Sequence, residues 1–182
     1  MRNLAAALVL LAGPAAASGL DITIAGEANG TIHIDLFEDV APLHVEQITK
    51  IANDGDYNGV VFHRVIDGFM AQTGDVKNGL LDGGNMAMAG TGGSDYGNIV
   101  AEFSDLPFER GVVGMARSGH PDSANSQFFI MFAPGYFLNG QYTVVGEVTE
   151  GMDVVDAIKR GMGPNGSVIG QPDVMETVVV TE

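Results

Sequence analysis

The chain has 182 residues, a formal net charge of −15, only eight Lys plus Arg, and 46% hydrophobic against 17% charged residues. Such a chain is long and apolar enough for one globular domain with a substantial core. The charge argues against nucleic acid and anionic lipid as partners, and the absence of cysteine excludes disulfides, thiolate catalysis, cysteine-ligated zinc and lipid attachment at Cys.

Residues 1–17 have the layout of a secretory signal peptide. Met1-Arg2-Asn3 is a short basic start, and the apolar run 4–11 is too short to span a bilayer. Gly13-Pro14 breaks the helix, and Ala15-Ala16-Ala17 supplies small residues for cleavage. The expected location is therefore the periplasm, which suits a cysteine-free chain. Residues 18–182 are read as a single domain.

In that domain, 20–25 and 31–36 read as a strand hairpin. The second strand alternates Ile32, Ile34 and Leu36 with Thr31, His33 and Asp35. Pro42 suits the first position of a helix whose apolar stripe is Val45, Ile48 and Ile51, and which ends at Asn53-Asp54-Gly55. The acidic Asp35, Glu38 and Asp39 lie just before it, where negative charge favours the helix dipole.

Residues 61–75, VFHRVIDGFMAQTGD, form two strand-like runs around the turn pair Asp67-Gly68. Alternation places Met70 and Gln72 on one face and Phe69 and Ala71 on the other. An apolar group beside an amide, with Arg64 close by, suits a shallow apolar pocket with a few aimed polar groups. A buried hairpin with a snorkelling Arg is the competing reading.

Residues 79–97 read as a long glycine-rich surface loop, with Met86 and Met88 packed beneath it. Lacking Gly-Lys-Ser/Thr, it is not a phosphate loop. Strands are expected at 111–116, 126–131, 143–148 and 173–180. Gln127 and Phe129 share a face of one of them. A short helix is expected over 151–160, its C-terminus complemented by Lys159 and Arg160. With 26 Gly and 7 Pro, about eight short strands and two helices predict a closed eight-stranded antiparallel barrel capped by the helices. Side chains just fill such a barrel, which puts any site on its outer wall.

The four histidines, His33, His44, His63 and His120, lack zinc-motif spacing. His63 beside Arg64 is a candidate general base, although a satisfied strand histidine is the commoner case. No nucleophile elbow or calcium loop occurs. What remains is Arg, Gln and aromatics without an obvious proton shuttle, a set suited to chemistry that breaks no σ bond. Rotation about an X–Pro amide is the leading case. Its barrier of about 18–20 kcal/mol comes from resonance, and twisting frees the prolyl nitrogen lone pair for a guanidinium.

Three segments in order, FHRVIDGFMAQTGD, GMARS with PDSANSQFFI, and FLNGQYTVVGEV, closely resemble the motifs of the cyclophilin-type peptidyl-prolyl isomerases. The resemblance runs from about residue 20 to the C-terminus, and MARSGHPDSANSQFF looks like the form in bacterial members. It implies an eight-stranded barrel with two capping helices, and catalysis by Arg64 supported by Gln72. It implies a proline pocket of Phe69, Met70, Phe129, Leu138 and Tyr142. Ala116 and Arg117 would meet the residue before proline, Gln127 would form a polar wall, and Phe137 would also contact the substrate.

Phe137 replaces a usual tryptophan and Tyr142 a usual histidine, which puts cyclosporin binding in doubt. Arg117 replaces a common asparagine, which shifts the expected substrate preference. No cofactor and no metal are implied. The expected partners are proline-containing polypeptides, among them unfolded exported proteins. Nucleic acid, stable membrane binding and self-association are not expected, so the chain would act as a monomer. A non-catalytic peptide-binding module on the same fold and a small-ligand barrel are the alternatives.

Overall fold

A computed structural model describes residues 18–182; the leader expected at 1–17 lies outside the described residues. The chain folds into nine strands, β1 (Gly19–Ala25), β2 (Gly30–Leu36), β3 (Val60–Val61), β4 (Arg64–Ile66), β5 (Met70–Thr73), β6 (Val112–Met115), β7 (Phe128–Met131), β8 (Val144–Glu150) and β9 (Val174–Thr181). Two helices accompany them, α1 (Pro42–Asn53) and α2 (Met152–Ala157). The strands form one antiparallel sheet in the order β3-β9-β1-β2-β8-β6-β7-β5-β4.

This corrects the closed eight-stranded barrel. The sheet is curled but open, because the run read as one strand at 61–66 splits at Phe62-His63 into β3 and β4. β3 pairs with β9 and β4 with β5, so they form the two ends of the sheet. Across the split the backbone turns to loop segments instead of a strand: His63 O accepts from Val168 N at 3.0 Å and Val65 O from Gly161 N at 2.8 Å. Register irregularities at Thr23/Ile24, His33/Ile34 and Val113/Gly114 bend the sheet further.

Alternation along the strands explains the core. Leu20 pairs with Ile34 and Ile22 with Ile32, all of them buried. The row Val65, Ala71, Ile130 and Val113 continues that inner face across β4, β5, β7 and β6. α1 adds Val45, Ile48 and Ile51 to the same cluster, and α2 adds Val155. A second, smaller cluster of Met70, Phe108, Val112, Phe129, Met131, Leu138 and Val144 covers the opposite face.

Pro42 opens α1 as predicted, but the first turn contains no acidic residue. The distant Glu102 serves instead, accepting from Leu43 N at 3.2 Å and His44 N at 3.1 Å, and pairing with buried His44 Nδ1 at 2.6 Å. α2 is shorter than expected and stops at Ala157. Lys159 and Arg160 therefore lie beyond it and tie loops together, Lys159 to Glu27 at 3.1 Å and Arg160 to Asp67 at 2.9 Å. Met86 and Met88 are exposed instead of packing under their loop.

The long loop is held by Asp75, which is fully buried. Its carboxylate accepts from the backbone N–H of Lys77 (3.1 Å), Asn78 (2.8 Å), Gly90 (2.7 Å) and Gly92 (2.9 Å). Burial pushes its pKa up, yet these donors together outweigh it and hold the carboxyl below its ordinary value. A depressed folded-state pKa contributes stability above the unfolded value, and that contribution is lost as pH falls through the folded value. Asp75→Asn turns an amide N–H₂ toward buried N–H donors and should lower stability by about 2–3 kcal/mol at neutral pH. Urea midpoints should show that gap narrowing below about pH 4.

Candidate active site

Register builds the site on the outer face. Arg64 on β4 pairs with Gln72 on β5, and Gln72 pairs with Phe129 on β7. These three side chains form a row one residue out of phase with the buried row Val65, Ala71 and Ile130. Arg64 Nη1 donates to Gln72 Oε1 at 3.0 Å. Gln72 Nε2 donates to Gln127 Oε1 at 3.0 Å, and Gln127 Nε2 to Gly92 O at 2.8 Å. The other side of the guanidinium is held by Asn165, whose backbone O accepts from Nε at 2.9 Å and whose Oδ1 accepts from Nη2 at 3.2 Å. Burial lowers the Arg64 pKa from its ordinary value, opposed by Tyr142; a guanidinium still stays charged at neutral pH.

Beside this row lies a pocket of about 240 Å³ lined by Arg64, Phe69, Met70, Gln72, Ala116, Arg117, Phe129, Phe137, Leu138 and Tyr142. Every site residue expected from the sequence lines it except Gln127. That residue stands in the adjoining polar groove of about 660 Å³, which shares Gln72, Ala116 and Arg117 with the pocket. The floor is the second apolar cluster, with Phe108 and Phe129 stacked at 5.8 Å. Tyr142 meets Phe129 edge-on at 5.9 Å, and Phe137 tilts against Phe69 at 5.4 Å while staying 66% exposed.

Phe69 joins the same pocket as Met70, against the alternation expected for it. It precedes β5 and belongs to the turn, with its N–H donating to Ile66 O at 3.0 Å, so strand periodicity does not apply. His63 is not a satisfied strand histidine either. It sits between β3 and β4, buried, with no hydrogen-bond partner on either ring nitrogen among the described residues. Burial lowers its pKa, the Asp75 charge acting in the opposite direction, so the ring is neutral at pH 7. It lines a further cavity of about 410 Å³ with Arg64, Gln72 and Asn165.

Sequence reasoning missed Asn165. Its signal was the Asn-Gly pair before Ser167, and it is the one non-glycine residue with positive φ (55°) among those described. Among the described residues no group of His, Asp or Glu is arranged to hold a metal ion.

The arrangement offers an apolar pocket, a fixed cation at its wall and amides along its edge, all on one sheet face. Residues 20–181 match the family model "Cyclophilin type peptidyl-prolyl cis-trans isomerase/CLD". The chain belongs to that family of isomerases. It is 60% identical over 146 residues to the "Probable peptidyl-prolyl cis-trans isomerase" of Brucella suis, covering 80% of this chain and 74% of that one. It is 38% identical over 137 residues to peptidyl-prolyl cis-trans isomerase B of Bacillus subtilis, covering 74% and 87%. A crystal structure of a Cryptosporidium parvum cyclophilin-type isomerase superposes with a TM-score of 0.77 at 25% identity, over 92% of this chain and 99% of that one.

Gly114 lies under the pocket floor, where an added Cβ would stand 2.5 Å from the Phe108 ring and 2.6 Å from the Phe129 ring. Gly114→Ala should cost about 1–3 kcal/mol by overpacking. Thermal unfolding should register that loss, and proline-peptide affinity should fall with it, because Phe129 has to move.

Proposed function

We propose that this isomerase accelerates X–Pro rotation in exported polypeptides during their folding, with Arg64 as the group that stabilises the twisted amide. In this reading the proline ring sits against Phe69, Met70, Phe129, Leu138 and Tyr142. Ala116 and Arg117 meet the preceding residue, and Gln72 orients the guanidinium. The observation that carries it is the setting of Arg64: half-buried at the pocket wall and held on both sides by neutral oxygens, of Gln72 and Asn165. Neutral acceptors fix its direction without cancelling its charge. That charge remains available for the nitrogen lone pair that appears only when the amide twists.

Magnitudes limit how much one group does. An acceleration of about 10⁵ needs about 7 kcal/mol of barrier lowering. A charge-assisted hydrogen bond contributes about 1.5–3 kcal/mol. The balance falls to the pocket, which holds the proline while the chain before it rotates in a desolvated site.

Arg64→Ala should lose most turnover in a protease-coupled proline-peptide assay while peptide affinity stays within several-fold. Arg64→Lys should recover little, since an ammonium cannot span Gln72 and Asn165 as a planar fork does. A near-normal rate in Arg64→Ala would sink the mechanism. A fall in urea midpoint large enough to explain the lost activity would make Arg64 a packing residue.

Export rests on the leader-like layout of residues 1–17. Intact mass of the protein recovered from the periplasmic fraction should begin near Ser18. Membrane-bound protein retaining residues 1–17 would contradict it.

A further inference from the structure

Four of the described basic side chains are paired with carboxylates: Lys50 with Asp54, Arg110 with Asp156, Lys159 with Glu27 and Arg160 with Asp67. In a chain with 23 Asp plus Glu against eight Lys plus Arg, such pairing is the expected state of a cation. Arg64, Arg117 and Lys77 make no ion pair among the described residues. All three line cavities of the site: Arg64 and Arg117 the pocket, Arg117 and Lys77 the groove. The carboxylates nearest the groove do not neutralise them by contact. Asp95 lines the groove without an ion pair, and the buried Asp75 is occupied by backbone N–H groups.

Arg117 is built to hold its charge in place. Its guanidinium lies 4.3 Å over the Tyr142 ring. Nε and Nη2 donate to Gln141 O at 3.2 and 2.9 Å, and Nη1 donates to Ser118 O at 3.0 Å. Three of the five N–H groups of a guanidinium are thus used on neutral carbonyls, and two remain, one on each Nη. These two N–H groups are available to the oxygens of a carboxylate. Ala116 and Arg117 line both cavities, so they stand where pocket and groove meet; in the binding mode proposed above, the residue preceding the proline passes there.

We infer that the site prefers an acidic residue immediately before proline, with Arg117 as the specificity-determining contact and Lys77 as a second positive charge further along the groove. The inference rests on reading the Arg64 pocket as the proline site. The overall charge of the protein repels acidic peptides at long range, so the preference is a contact effect. It is best read near 0.15 M salt, where the screening length is about 8 Å. A basic residue at the same position places like charges together and should be the poorest.

The test compares kcat/KM on a peptide series differing only in the residue before proline: Glu, Gln, Ala and Lys. The purified protein should favour Glu-Pro over Gln-Pro by about two- to fivefold, the range for one partly exposed charge-assisted pair. Arg117→Gln should bring that ratio to about one, Arg117→Lys should keep part of it, and Lys77→Gln should reduce it by about twofold or less. The ratio is insensitive to any general loss of activity in a variant. A ratio near one in the unmodified protein, or one that persists in Arg117→Gln, overturns the inference. Absence of turnover on every peptide overturns the reading of the pocket on which it rests.

Discussion

Everything at the site depends on one register, in which Arg64 faces Gln72 and Gln72 faces Phe129 across β4, β5 and β7. The same register puts Val65, Ala71 and Ile130 into the core. A slip by one residue would drive a guanidinium into that core and turn three apolar side chains to solvent. The burial that stabilises the inner row therefore also fixes the outer row. The catalytic candidates need no separate device to hold them in line, only side-chain hydrogen bonds to set their direction.

Those hydrogen bonds are almost wholly neutral. Gln72 and Asn165 hold Arg64 from its two sides, Gln127 holds Gln72, and Gly92 O ends the line. An acidic partner would hold Arg64 more strongly but would neutralise it. In so acidic a chain, leaving it unpaired is a selective arrangement. Arg117 repeats the pattern with the carbonyls of Gln141 and Ser118. Placing uncompensated charge at a cleft wall costs some stability and keeps the charge available to a bound molecule.

The line also connects the site to the glycine-rich loop. Gln127 grips Gly92 O while Asp75, buried below, grips Gly92 N and Gly90 N. Close approach explains Gly92, where a Cβ would stand 2.4 Å from Asp75 Oδ1, while Gly90 has a φ of 93°, which side chains rarely adopt. The loop is thus the outer support of the polar wall.

Much of this was legible along the chain. Alternation gave the β1–β2 hairpin, Pro42 gave the start of α1, and the three motif segments contain every side chain that lines the pocket. Such features are local, written in periods of two or 3.6 residues and in turn chemistry. The tertiary structure alone decided the rest. Asn165 reaches Arg64 across 101 positions and Glu102 caps α1 across 58, with nothing in the intervening residues to announce either contact. The sheet stays open because His63 O and Val65 O find partners in the loop at 161–168, a competition between distant donors that no local pattern encodes. Periodicity determines which face a residue takes within an element. Where an element breaks, and what distant group then satisfies its backbone, is settled only when the chain closes on itself.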